Sequence, residues 1–254
     1  MLPGSPLGAQ SQRLTALDHI AAGIAAPEGL DPETALRHFE AALALDSLNY
    51  EATWRAAFAL LNIGKRIPDE AKSRWRDSLY TEAEHLARRA VRLENLDPQG
   101  HYVLALAIGR TSLTMGVRER AMRARDIRVE ALKTIELDPK HDGAYHALGR
   151  WHWEIMRLSG FERFWAQNVI GAKFFREASW DGAVGNLERA VQYNPTYIYH
   201  HLKLAELLTD RQRYADARAQ LAVIATLPTS DYMDPTYREA AALLQARIAG
   251  LEQR

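Results

Sequence analysis

Arg110 and Arg150 close the same short pattern, Ala-Ile-Gly-Arg at 107–110 and Ala-Leu-Gly-Arg at 147–150. A guanidinium is a planar fork of donors that bonds a carboxylate or phosphate bidentately. Two such groups at matched positions could clamp an anion. Each could equally serve an internal ion pair, and Glu154 lies one turn beyond Arg150. The nine His, at 19, 38, 85, 101, 141, 146, 152, 200 and 201, form no His-Glu-x-x-His and no i, i+4 pair. No metal site is expected from that spacing. There is no Cys, which excludes disulfides, thiolate metal sites and Cys nucleophiles. Neither a phosphate-cradling Gly loop nor a Gly-x-Ser-x-Gly elbow occurs. The carboxylates are scattered, so no acid and base pair stands out. The expectation is a chain with no catalytic residues and no cofactor.

Aromatic residues crowd one stretch. Of the twelve Phe and Trp, eight lie between Trp151 and Trp180. Within Ser159–Ser179, Phe164 and Trp165 could help close an apolar pocket near the two Arg. Its ligand would have an anionic head and an apolar body, as a fatty acid or phospholipid does. The same rings could instead pack this segment onto the rest of the fold.

The elements that must position these residues read as helices. The chain has 254 residues, 47% hydrophobic and 25% charged, which suits one well-buried domain or two small ones. Its 32 Lys and Arg balance 32 Asp and Glu, which argues against a nucleic-acid partner. Five Arg between Arg118 and Arg128 spread round a helix and suit a solvated, salt-bridged face. Uncharged runs reach 12 residues, too few for a membrane span. Residues 1–12 read as a flexible tail and 13–254 as one helical domain. Residues 1–9, followed by Gln10, are similar to the end of a secretory signal, so an exported or periplasmic protein is one expectation and a cytoplasmic one the other. Apolar residues recur at helical spacing over about twelve helices, and no alternating strand pattern appears. Asp31-Pro32, Asp138-Pro139, Asn194-Pro195 and Asp234-Pro235 read as helix starts, and Gly64, Gly116 and Gly160 as stops.

Four segments, starting at Ala35, Glu82, Ile127 and Ala183, share one layout. Each is a helix with a small-residue stripe, a turn at Asp46, Asp97, Asp138 or Asn194, then a second helix. This resembles the tetratricopeptide repeat, most clearly over Ile198–Asp231, with Leu204-Ala205, Tyr214, Ala217, Leu221 and Ile224 at the repeat's characteristic places. Leu148-Gly149 matches its Leu-Gly contact. The resemblance implies an all-α right-handed solenoid, with Met233–Leu251 as the capping helix. Over roughly 130–250, Leu148-Gly149-Arg150-Trp151 and the helical insert after it are similar to the regulator of microtubule dynamics family and to exported bacterial repeat proteins. In such solenoids the first helix of each pair lines a concave groove. Carried onto this chain, the groove takes Trp54, Phe58, Arg110, His146, Arg150, Trp153 and Tyr199, with Phe164 and Trp165 from the insert. The implied function is a non-enzymatic scaffold holding a peptide or protein partner, with an amphipathic anion such as a lipid as the alternative.

Overall fold

A computed structural model of the chain describes residues 14–26, 30–69 and 71–252. The N-terminal tail, with its signal-like residues, lies outside them. Among the described residues are twelve α-helices and no strand. They are α1 (Ala16–Ala25), α2 (Pro32–Leu45), α3 (Tyr50–Gly64), α4 (Arg74–Leu93), α5 (Pro98–Thr111), α6 (Val117–Leu137), α7 (Asp142–Arg157), α8 (Gly160–Trp165), α9 (Trp180–Tyr193), α10 (Ile198–Asp210), α11 (Tyr214–Ile224) and α12 (Asp234–Glu252). A π-helical turn at Ala166–Ile170 and a 3₁₀ turn at Lys173–Glu177 complete the insert.

Local chemistry sets most helix starts. Asp31 and Asp97 cap α2 and α5 with Pro at the first helical position, where the missing N–H costs nothing. Asn49 accepts from Ala52 N at 3.0 Å and Ser179 from Gly182 N at 3.0 Å. Two of the expected starts are different in kind. Asp138 and Asn194 end α6 and α9, and the next helices begin only at Asp142 and Ile198. The Asp138 side chain accepts from Lys140 N at 3.0 Å, turning the chain rather than opening a helix. Gly116 and Gly160 likewise sit at the entries of α6 and α8, not at their predecessors' ends.

Helices pack in consecutive pairs: α1 with α2, α3 with α4, α5 with α6, α7 with α9, and α10 with α11. The first members also touch in sequence, α3 on α5, α5 on α7, and α10 on α12. They form an inner row, and the second members form an outer row. Small side chains let the rows close. Ala56, Ala83, Ala87, Ala183 and Ala190 are fully buried. At Gly149 an added Cβ would lie 2.8 Å from Leu187 Cγ and 3.1 Å from its backbone N, so α7 and α9 meet only over glycine.

Layers are also pinned by polar contacts. The Tyr50 hydroxyl donates to Asp97 Oδ1 at 2.6 Å and accepts from Gly100 N at 3.0 Å, joining α3 to the start of α5. Tyr50→Phe is expected to lower the unfolding free energy by about 1 kcal/mol in urea titration. An unchanged midpoint would mean that water replaces both bonds.

The insert packs on the outer row. Trp151, Ile155, Ala166, Ile170 and Phe175 share a core cluster with Ala121 and Ala131 of α6. The Trp151 indole donates to Ala124 O at 2.7 Å. Arg128 of α6 pairs with Glu177. Among the described residues no helix is long and apolar enough to cross a membrane.

Candidate functional site on the inner face

The inner row presents aromatic and basic side chains in succession. Phe58 of α3 stands 6.3 Å from Tyr102 of α5, ring to ring, and Tyr102 stands 4.5 Å from His141 at the entry of α7. On α7, His146 stacks on Tyr199 of α10 at 5.0 Å. Tyr199 in turn meets Tyr237 of α12 at 4.7 Å. This ladder crosses five layers.

Two guanidinium groups lie against it. Arg150 donates to Glu154 Oε1 at 2.8 Å and to the Tyr199 hydroxyl at 3.4 Å. Its Nε has no partner. Arg110 donates to Asp69 Oδ2 at 3.3 Å. Burial disfavours the charge of both. The combined pull of Tyr199, Tyr80 and Asp69 at Arg110, and of Tyr199 and Glu154 at Arg150, outweighs it, so both stay more basic than an ordinary Arg. Their side chains are 33% and 32% exposed, and the pairing carboxylates Asp69 and Glu154 are 48% and 52% exposed. Both pairs are thus partly exposed, and pairs of this kind are held by roughly 1 kcal/mol or less.

Beneath them runs a buried polar relay. His200 Nε2 lies 2.9 Å from Asp142 Oδ2, and His200 Nδ1 lies 2.9 Å from His146 Nδ1. Asn194 also donates to Asp142, at 2.9 Å. Burial works against the Asp142 charge, but the bonds from His200 and Asn194 prevail and hold its carboxyl down to about 2. With Asp142 ionised, His200 Nε2 is the donor, and its Nδ1 accepts from the Nδ1–H of His146. His146 stays neutral. Burial comes first in pushing it well below the usual histidine range, and the charges of Arg150, Lys203 and Arg110 add to that. The adjacent His201 turns the other way, to Gln220 Oε1 at 2.8 Å and Pro195 O at 2.9 Å.

The α3–α4 layer and the last layer meet across this face. Lys65, just after α3, donates to Asp231 Oδ2 at 2.6 Å, 166 residues away. Arg66 stands 4.1 Å over the Tyr232 ring and pairs with Glu33 of α2. The segment leading into α12 is thus fastened to the turn between α3 and α4.

The expected site residues separate into three groups. Arg110, His146, Arg150 and Tyr199 converge, with Phe58 farther along the same ladder. Trp54 is half-buried in the core between α3 and α5, with the Arg55 guanidinium 4.4 Å over its ring. Trp153 is a core residue, only 3% exposed, whose indole donates to Asp210 at 3.1 Å. It supports the face from below, with Arg150 5.5 Å over its ring. Phe164 and Trp165, which could close a pocket near the arginines or pack the insert onto the fold, are 63% and 41% exposed. They belong to the insert, which meets α7 through Trp151 and Ile155, roughly 100–140° round the helix from Arg150. The guanidinium groups instead stand over other rings, Arg110 over Tyr80 and Arg150 over Trp153. Tyr102, Tyr237 and Lys203 were missed. Tyr237 falls in the first turn of α12, and reading that helix as one more inner-row helix, rather than as a cap alone, would have found it.

The comparisons with known proteins come down on the same fold. The profile described as "Regulator of microtubule dynamics protein 1-3" matches residues 25–248. Regulator of microtubule dynamics protein 1 of Bos taurus is 24% identical over 159 residues, which is 63% of this chain and 49% of that protein. The chain thus spans about half the length of that relative. Among solved structures, a thermophilic tetratricopeptide protein of Thermus thermophilus superposes with a TM-score of 0.64 at 18% identity, covering 90% of this chain and 100% of that one. PilF of Pseudomonas aeruginosa superposes with a TM-score of 0.54 at 13% identity, covering 93% and 91%. With the paired helices, the Gly149 contact and a profile match over most of its length, the chain is a tetratricopeptide-type α-solenoid and belongs to the regulator of microtubule dynamics family.

Proposed function

We propose that this chain is a non-enzymatic scaffold whose inner face holds a peptide segment of a partner protein, with an acidic side chain or terminal carboxylate of that segment seated between Arg110 and Arg150. The observation that carries this reading is the pair of half-committed guanidinium groups on neighbouring layers, Arg110 on Asp69 and Arg150 on Glu154 and the Tyr199 hydroxyl. A carboxylate arriving there exchanges weak surface pairs for charge-assisted bonds in a partly desolvated site. The aromatic ladder supplies flat apolar surface for the rest of the segment. The fastening of α12 to the α3–α4 turn favours a short segment or chain end over a long continuous strand.

The test uses fluorescein-labelled hexapeptide pools that differ only in one fixed Glu or Gln. In anisotropy titrations the whole protein is expected to prefer the Glu pool by roughly tenfold, one charge-assisted contact's worth. Arg110→Gln/Arg150→Gln should erase that preference while leaving the melting temperature near wild type. Equal binding of the two pools by the wild type, or an unchanged preference in the double variant, would rule the clamp out.

A further inference from the structure

The insert carries apolar residues on two sides. Ala166, Ile170, Ala172 and Phe175 are buried against α6 and α7. Phe161, Phe164, Trp165 and Val169 are 76%, 63%, 41% and 62% exposed. At about 100° per residue, Phe161, Phe164 and Trp165 fall within roughly 100° of one another on α8, so they form one outward face. Water would normally meet polar side chains there. A contiguous exposed aromatic patch marks an interaction surface.

The charges around the patch indicate its occupant. Between Gly160 and Glu177 the chain has three cations, Arg163, Lys173 and Arg176, and two carboxylates, Glu162 and Glu177. Both carboxylates are engaged. Glu162 accepts from Ser159 N at 2.7 Å, and Glu177 pairs with Arg128. The cations have only neutral partners among the described residues. Arg163 donates to Met156 O at 2.9 Å and Arg176 to Gln167 Oε1 at 3.3 Å, while Lys173 is exposed. The patch therefore seeks negative charge as well as apolar cover. Four protruding side chains are far fewer than the roughly 20–30 residues a side of a stable protein interface. A bilayer surface needs no matching shape. It takes aromatic rings at headgroup depth and basic groups at lipid phosphates.

We propose that the 160–177 insert is a membrane-docking face, seating Phe161, Phe164 and Trp165 in the interface of an anionic bilayer with Lys173 and Arg176 at the phosphates. This is independent of the peptide reading. Arg150 points from another side of α7, so a docked protein keeps its inner face open.

The experiment is co-sedimentation of the whole chain with phosphatidylcholine vesicles, with and without one-quarter phosphatidylserine. Binding to the anionic vesicles is expected to exceed that to neutral ones by roughly tenfold and to weaken as salt is raised. Phe161→Ser/Phe164→Ser/Trp165→Ser should cut it by roughly tenfold or more. These positions are exposed, so circular dichroism and melting should stay near wild type. Lys173→Gln/Arg176→Gln should remove the preference for anionic lipid. The chain has no Cys, so Phe164→Cys carries a single polarity-sensitive dye. Its emission should shift to the blue on anionic vesicles, and that of Leu243→Cys, exposed on α12, should not. Three results would overturn the proposal: no sedimentation of the wild type, sedimentation of the triple Ser variant at wild-type level, or an aqueous dye at position 164 on vesicle-bound protein. Self-association that the triple variant abolishes, without vesicle binding, would give the face to a second copy and overturn it as well.

Discussion

Lys65→Met is expected to destabilise the fold by on the order of 3 kcal/mol, among the largest effects of any surface-adjacent substitution in this chain. Lys65 and Asp231 side chains are only 12% and 9% exposed, and their atoms are 2.6 Å apart. Removing the ammonium leaves a carboxylate with little water around it. Asp231 does not stand alone, because its other oxygen accepts from Met233 N at 2.8 Å at the entry of α12. A substitution that deletes this acceptor would confound the loss of charge with the loss of a cap. The informative partner is therefore Asp231→Asn, which keeps an acceptor oxygen and drops the charge. Lys65→Met/Asp231→Asn should recover most of the lost stability, since removing both members of a buried pair costs far less than removing one. Urea unfolding of the wild type, both single variants and the double variant gives the coupling energy. A Lys65→Met midpoint within experimental scatter of wild type would mean that α12 is not held by this pair. The same pair bears on binding. If the fastening limits access to the inner face, the double variant should admit longer peptides at near-wild-type stability.

What could be read from the chain alone follows how local each interaction is. The Arg150–Glu154 pair sits at i, i+4 and was visible as an alternative use of Arg150. Arg110 has its partner 41 residues away in Asp69, and nothing in its own neighbourhood pointed there. Leu148-Gly149 was legible because only glycine lets α7 approach Leu187. The Asp-Pro and Asn-Pro pairs announced a break in the chain but not its side. Asp31 opens a helix while Asp138 and Asn194 close one. The insert's two readings, pocket lid or packing on the fold, stayed open for a related reason. Its composition flagged an aromatic cluster, yet the chain leaves the α-helical period at Ala166, entering a π turn and then, past Gly171 in a left-handed conformation, a 3₁₀ turn. A wheel drawn through such a segment cannot say which rings face inward. Tyr199 was anticipated and Tyr237 was not. That gap came from treating the last helix as a stopper, although it adds a rung to the ladder.

Stability is expected to fall as pH drops from about 6.5 toward 5, and His146 supplies the largest share of that change. Its ring is 8% exposed and lies between Tyr199 and His200. Around it stand Arg110 on α5, Asp142 and Arg150 on α7, and His200 and Lys203 on α10. Burial comes first in holding it neutral, and the surrounding cations add to that. In the unfolded chain a His takes its proton near 6.5. Below that pH the unfolded state binds a proton that the folded state refuses, so the folded state loses up to about 1.4 kcal/mol per pH unit for this residue until its own low pKa is reached. His141 and His152 are also shifted down, chiefly by burial, and act in the same direction. Asp142 works in a separate window. Its carboxyl titrates at about 2 in the fold, so its contribution is intact at pH 5 and is lost only below about 4. Urea midpoints at half-unit steps from pH 7.5 to 4.5 separate the two. His146→Phe keeps a ring against Tyr199 but leaves His200 Nδ1 without its donor, so a lower stability at every pH is expected. The decisive quantity is the slope, which should flatten between 6.5 and 5. A slope as steep as wild type would show that the proton enters elsewhere, with His141 the next group to replace.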